Sequence, residues 1–191
     1  NWISGSSGSA LWTFVQGNVA HNNTGPGVRF WNNNRSAHHV QHALTYRNRR
    51  GGIENGAYAN SNRYSHMLLL DDHIVQNSNS KAQAVDRGPA RHTNVHVFAR
   101  DGAAIRVGSR NLVGDAPHEF VDCTLQGTPK VLVGDGKTPW EAHFMRSGVV
   151  PDDIVFQSLG GGNAGSRVLI DHEDGRQWEI RVENAQKVVQ A

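Results

Sequence analysis

Five segments of this chain close in the same way, and they recur at a nearly constant distance. They occupy 19–23, 44–48, 73–77, 97–101 and 123–127, and each ends in a turn-forming residue: Asn23, Asn48, Asn77, Asp101 and Gly127. A period near 26 residues is that of a stacked repeat unit, which buries its apolar face only against its neighbours. Aligned on that period, the final column reads as a ladder of side-chain amides at a repeated bend. The column before it, Asn22, Arg47, Gln76, Arg100 and Gln126, is polar throughout. The one before that, His21, Tyr46, Val75, Ala99 and Leu125, is mostly apolar. Alternation of this kind marks a strand with one face inside.

A second strand follows each bend after three to five residues, at 27–31, 52–56, 82–86, 104–108 and 130–134. Val28, Ile53, Ala82, Ile105 and Val131 point inward in this register. No stretch through residue 134 carries apolar residues at helical spacing for three turns. The prediction is an all-β chain, a parallel β-helix of about five coils over 1–138. An antiparallel sandwich, also built of short strands and turns, is the alternative.

The tail follows a different pattern. Glu173-Asp174-Gly175-Arg176 separates two strand-like runs, a hairpin signal, and Trp178, Ile180 and Val182 alternate with Glu179 and Arg181. Solenoids need a cap over their last strand edges. Residues 139–191 are therefore assigned as a C-terminal β-hairpin cap or small β subdomain. The Gly160-Gly161-Gly162 run lacks a following Lys-Ser/Thr, so it reads as a linker and not a phosphate cradle.

Composition narrows the partners. Hydrophobic residues make up 37% of 191, which suits an elongated shape with a thin core. A formal charge of +2 supplies no strong field for nucleic acid. Of nineteen basic residues only Lys81, Lys130, Lys137 and Lys187 are lysines, leaving fifteen arginines. Guanidinium forks match carboxylates and sulfates, as an acidic sugar would require, although a GC-rich genome produces the same bias. Cys123 is the single cysteine and sits among apolar neighbours, as a buried structural thiol does. No apolar run is long enough to insert into a membrane. The chain begins at Asn1 without a signal-peptide pattern, so it reads as a mature product or as part of a longer chain with other domains.

Two stretches carry a resemblance. Residues 14–31 hold Gly17, Asn18, Ala20, His21, Asn23, Gly27, Arg29 and Trp31, and residues 38–78 hold Tyr46, Arg47, Asn48 and Gly52. This pattern resembles the β-helix region of the cell-surface hyaluronidase and fibrocystin-like group, and more broadly pectate-lyase-like β-helix proteins. The resemblance covers about 65 residues, mainly structural ones. It implies a right-handed parallel β-helix in an extracellular or cell-surface protein of glycan metabolism. It carries over no catalytic site, because the residues implicated in that group lie upstream of the matched region.

Two sets of candidate functional residues follow. The outward column of the second strand, Arg29, Glu54, Gln83 and Arg106, is a natural floor for a glycan, though any solvated sheet face looks similar. Trp31 after the first coil, and Tyr58, Arg63 and Tyr64 in the long loop of the second, add rings and donors among asparagines. Rings stack on sugars while amides and guanidinium groups fix hydroxyls and charges. The catalytic candidates are Asp71, Asp72 and His73. Adjacent acids on a strand point to opposite faces, so at most one would meet an outward partner such as Glu54. Glycoside hydrolysis needs two carboxyls roughly 5–5.5 Å apart for retention or 6.5–9.5 Å for inversion. The accompanying phrases of polygalacturonase-like enzymes, NTD, GHG and RIK, are absent. A lyase would instead need a base beside Lys or Arg, with Arg or Ca²⁺ neutralising the uronate. No acidic cluster of calcium-site density is present, so no cofactor is assigned, Ca²⁺ remaining possible. His38-His39-x-x-His42 and His92…His96 lack a Cys or HExxH partner, and no metal ligand is assigned.

Three readings remain. The first is a secreted or surface β-helix module that binds, and helps to process, a polysaccharide, an acidic one being favoured. The second is a structural solenoid spacer or adhesin segment of a larger surface protein. The third is a complete lyase or glycoside hydrolase.

Overall fold

The structure is a computed structural model that describes residues 2–4, 13–14, 17–31, 38–55, 62–76, 90–108, 117–136 and 139–191. It is an all-β parallel solenoid, as the period requires. The chain winds through three walls per coil. Wall three is a seven-stranded parallel sheet formed by Trp2–Ser4, Val28–Trp31, Ile53–Asn55, Ile74–Gln76, Ile105–Val107, Val131–Val133 and Ile154–Phe156. Walls one and two belong to one twelve-stranded sheet that is folded along a corner. Wall one contains His39–Gln41, His118–Val121, Glu141–Met145 and Arg167–Asp171; wall two contains Val19–His21, Leu44–Tyr46 and Thr124–Gln126. The strands Arg63–Leu70 and Arg91–Phe98 cross from wall one to wall two without a break.

Each crossing is made by one residue in the left-handed region. Gly17, His42, His66, Asn94, Asp122 and Arg146 stand in register at the first corner with φ between 47° and 65°. Asn22, Arg47 and Asp71 do the same at the corner between walls two and three, with φ of 52–53°. A non-glycine residue there costs free energy and recurs only where its surroundings hold it. At the second corner the restraint is explicit. Asn23 Nδ2 donates to Asn48 Oδ1 at 2.8 Å, and Asn48 Nδ2 donates to Asp72 Oδ2 at 2.8 Å. Asn48 Nδ2 also donates to the Ala20 carbonyl, Asn48 Oδ1 accepts from Asn23 N, and Asn48 N donates to Asp72 Oδ1 at 2.7 Å. The amide of Asn48 thus has both donors and both acceptor positions filled.

The interior follows the strand period. Wall two sends in Ala20, Thr45, Leu69, Val97 and Leu125, and wall three sends in Val28, Ile53, Ile74, Ile105, Val131 and Ile154. Wall one supplies a stack of buried rings, Tyr64, His92, Phe120 and Phe144, with successive centroids 4.8, 4.7 and 4.8 Å apart and planes within 14°. That spacing is the distance between hydrogen-bonded strands, so each coil contributes one ring to an offset column.

Four assignments change against the sequence reading. In the fourth coil Val97, not Ala99, stands level with inward Leu125, so Asp101 is out of line with Gly127. The third coil is out of register: Ile74–Gln76 belongs to wall three, so Ile74 takes the inward place given to Ala82, and residues 77–89 lie outside the described residues. The third rung of the ladder is accordingly Asp72 and not Asn77. His21 and Tyr46 face outward, stacked on each other at 4.6 Å, while Ala20 and Thr45 face in. The third coil was displaced by the chemistry of Arg63–Leu70. Its outward Leu68 and Leu70 are exposed, so the polar alternation that marks a strand is missing, and the segment reads as loop.

Parallel pairing continues through Arg167–Asp171, after which Gln177–Glu183 and Gln186–Gln190 pair antiparallel and cap the end. Ile180 and Val182 are buried, as the alternation in the tail requires. Lys187 reaches over the last strand of wall three and donates to the carbonyls of Pro151 at 2.6 Å and Ile154 at 2.8 Å. The three-glycine run is not a free linker: 161–163 is a short turn pinned by Asn163, whose Nδ2 donates to Ser158 O.

Candidate binding site

The corner between walls two and three opens into a cleft of about 370 Å³. Four arginines line it, Arg47 and Arg49 from one coil and Arg100 and Arg106 from the second coil after it, with Asp71 and His73 of the intervening coil between them. Stacking explains the convergence: the coil of Asp71 and His73 separates the two arginine pairs, which are more than 50 positions apart in sequence but only two strand spacings apart along the axis. The left-handed φ at Arg47 and Asp71 turns these side chains out of the sheet and into the opening.

The three residues of 71–73 have three different environments. Asp71 is exposed, and its carboxylate accepts from Arg47 Nε at 3.2 Å. Asp72 is 1% exposed and is the buried rung held by Asn48. Burial raises its pKa, and the hydrogen bonds from Asn48 work against that rise. His73 lines the cleft, and burial first, then the charge of Arg106, lowers its pKa to about 4. Its imidazole is therefore neutral at pH 7. The ring rests against Gly51, whose φ is +105° and where a Cβ would lie 3.2 Å from His73 Nε2 and 2.8 Å from the His73 carbonyl.

Of the other sequence candidates, Arg106 joins this cleft. Arg29 and Glu54 stand side by side on wall three at 3.5 Å, with Glu54 buried, and the next outward position is Val75 in place of Gln83. Arg63 is exposed on wall one. Tyr64 lies in a strand and not a loop; it is 1% exposed, stacks on His92, and donates its hydroxyl to Asn55 Oδ1. Trp31 ends the strand Val28–Trp31, and Tyr58 lies outside the described residues. Arg47, Arg49 and Arg100 were not singled out from sequence. The sequence repeat set Arg47 and Arg100 in one column, whereas the strand register places Ala99 level with Arg47 and Asp71.

Elsewhere Cys123 is buried, and burial pushes its thiol up to about 11, which makes it a poor nucleophile at neutral pH. Among the described residues no three His, Cys, Asp or Glu side chains gather as a metal site would need. His42 stacks on His66, and His38 is buried against Phe30.

The arrangement offers guanidinium donors for an anion, an exposed carboxylate for hydroxyls, and a neutral imidazole. Arg47, Arg49, Arg100 and Arg106 against Asp71, Asp72 and Asp101 leave the lining with a small positive excess. That balance fits spaced single charges better than dense ones.

No family model matches this chain, no curated protein matches it, and no solved structure matches it. The resemblance to the hyaluronidase and fibrocystin-like group therefore rests on the quoted residues alone.

Proposed function

We propose that this chain is a β-solenoid module of an extracellular or surface protein that binds an acidic polysaccharide. The observation that carries the reading is the convergence of four arginines on one open cleft. A rigid wall with two pairs of guanidinium groups two coils apart suits a polymer whose charged groups also repeat. Bonds from guanidinium to carboxylate are charge-assisted and directional. The exposed charges make the binding salt-sensitive.

The test is calorimetry at low salt with polygalacturonate, alginate and a neutral glucan. The polyuronates are expected to bind and the glucan to stay silent. Arg47→Ala with Arg100→Ala should weaken polyuronate binding at least about tenfold, since a hydrogen bond to a charged group contributes about 1.5–3 kcal/mol. Equal binding of all three polymers, or none, sinks the reading.

The spacer reading has one observation in its favour. Many surface charges already pair within the chain, as in Arg146 with Asp122 and Arg181 with Glu179. Absence of glycan binding by the folded protein would leave that reading standing.

A further inference from the structure

A second cleft of about 510 Å³ adjoins the first and differs from it in chemistry. It lies over the outer face of wall three in the following coils, on a floor of Ala103, Pro129 and Leu132, with Asp135 and Gln157 at its far side. Arg106 lines both clefts. The turn that separates them is continuous: Arg100 and Asp101 face the first, Gly102 and Ala103 the second.

Arg106 is seated at this junction by its neighbours. Its Nη2 donates to the Asp101 carbonyl at 3.2 Å. It also lies over Gly102, where φ is +92° and a Cβ would come within 2.7 Å of that nitrogen. Any larger residue at 102 would push the guanidinium away. Beyond it the outward column of wall three is Leu132 and then Val155, which is 41% exposed. One half of the path is thus cationic and the other is apolar, with an amide and a single carboxylate.

We infer that the two clefts form one groove for a linear glycan, in which the coils bearing Arg47 to Arg106 hold its charged units and the Pro129–Leu132 floor holds an uncharged sugar ring. The inference rests on the polysaccharide reading above and adds a second, neutral subsite and a direction. From the coil of Arg47 to that of Gln157 is four coil steps, about 19 Å, or about four sugar units at one per step. Apolar ring faces of the sugar lie on Pro129 and Leu132, while Gln157 and Asp135 take hydroxyls. Arg106 binds the last anionic group before the floor.

The experiment is calorimetry with uronate-containing oligosaccharides of two, three, four and five units. One series is fully charged, and the other carries one uncharged terminal unit. Affinity is expected to climb to four units and then level off, with the mixed tetramer bound tighter than the fully charged one. Leu132→Ala with Gln157→Ala should weaken the mixed tetramer about tenfold and leave the charged dimer unchanged. Gly102→Ala, which displaces Arg106 without removing its charge, should weaken both. Circular dichroism and a thermal midpoint establish that each variant is folded. Binding that saturates at two units, or a double variant that binds every oligomer like the parent, overturns the second subsite while the acidic-glycan reading stands. Silence toward every oligomer overturns both.

Discussion

The two halves of the solenoid share one backbone path but fill it with different chemistry. Wall three makes the contrast clear along a single inward column: Phe30, Asn55, Gln76, Val107, Val133 and Phe156. After Phe30, the column is amide in the next two coils, at Asn55 and Gln76. Asn55 Oδ1 accepts from Asn62 Nδ2 at 3.1 Å and from the Tyr64 hydroxyl at 3.2 Å, and Gln76 lies 3.4 Å from His92. In the later coils it is aliphatic and aromatic, packed with Phe120, Phe144, Trp140 and Ile170. The arginine cleft lies over the polar half and the apolar floor over the other. A solenoid can thus change its inside and outside together without changing its winding, because each coil answers only to its neighbours. Buried amides fix register through direction, whereas apolar side chains contribute through area.

The largest expected effect is in the apolar half. Phe120 is fully buried between His92 and Phe144, so Phe120→Ala leaves a cavity and should cost about 3–5 kcal/mol in urea unfolding. A loss below about 1 kcal/mol would mean that the ring column collapses to fill the gap, and that the halves do not differ in this respect.

Asn48→Ala probes the polar half. It strips four side-chain bonds at a buried corner and leaves Asp72 without its amide partner. The expected loss is about 3 kcal/mol, from unsatisfied buried groups and not from lost area. An unchanged urea slope would distinguish this from a loosened native state.

A pH effect of about 2 kcal/mol separates the halves further. Burial first, and His118 second, lower the His92 pKa to about 3. The unfolded chain binds a proton near pH 6.5, so stability is complete above that pH and falls as pH drops toward 3. The slope is about 1.4 kcal/mol per unit, giving about 2 kcal/mol at pH 5. His92→Phe continues the ring column with Phe120 and should remove about 2 kcal/mol of the acid loss at pH 5, leaving a similar share from His73. A variant with the same acid sensitivity as the parent would refute the assignment to His92.

Smallest is Arg146→Ala at the first corner. Arg146 pairs with Asp122 through two bonds of 2.7 and 2.9 Å, but both are exposed. The thermal midpoint should not move measurably. A clear fall would show that this pair holds the left-handed corner in place.

The repeat was legible in sequence because turn-forming Asn23 and Asn48 and inward Val28, Ile53, Ile105 and Val131 obey simple rules of spacing. The third coil was not, since MLLL at 67–70 is apolar on both faces and its strand carries the His66 corner inside it. Asp72 showed how one residue type supports two readings. A carboxylate beside another carboxylate suggests chemistry, and only the register shows it to be a rung 24 residues after Asn48. Arg106 was visible as an outward residue. The cleft was not, because sequence gives the columns but not the offset at which neighbouring coils bring Arg47, Arg49 and Arg100 together.

Lys187 has a consequence for how such a molecule behaves in bulk. A row of free carbonyls at the end of a parallel sheet is a template on which another chain can add, and repeated addition makes a fibre. By donating to the Ile154 carbonyl of the last strand and to Pro151 in the turn before it, one ammonium group places a cation where an incoming strand would have to lie. A cation at that edge opposes the addition of another chain, as charged edge residues do in other sheets.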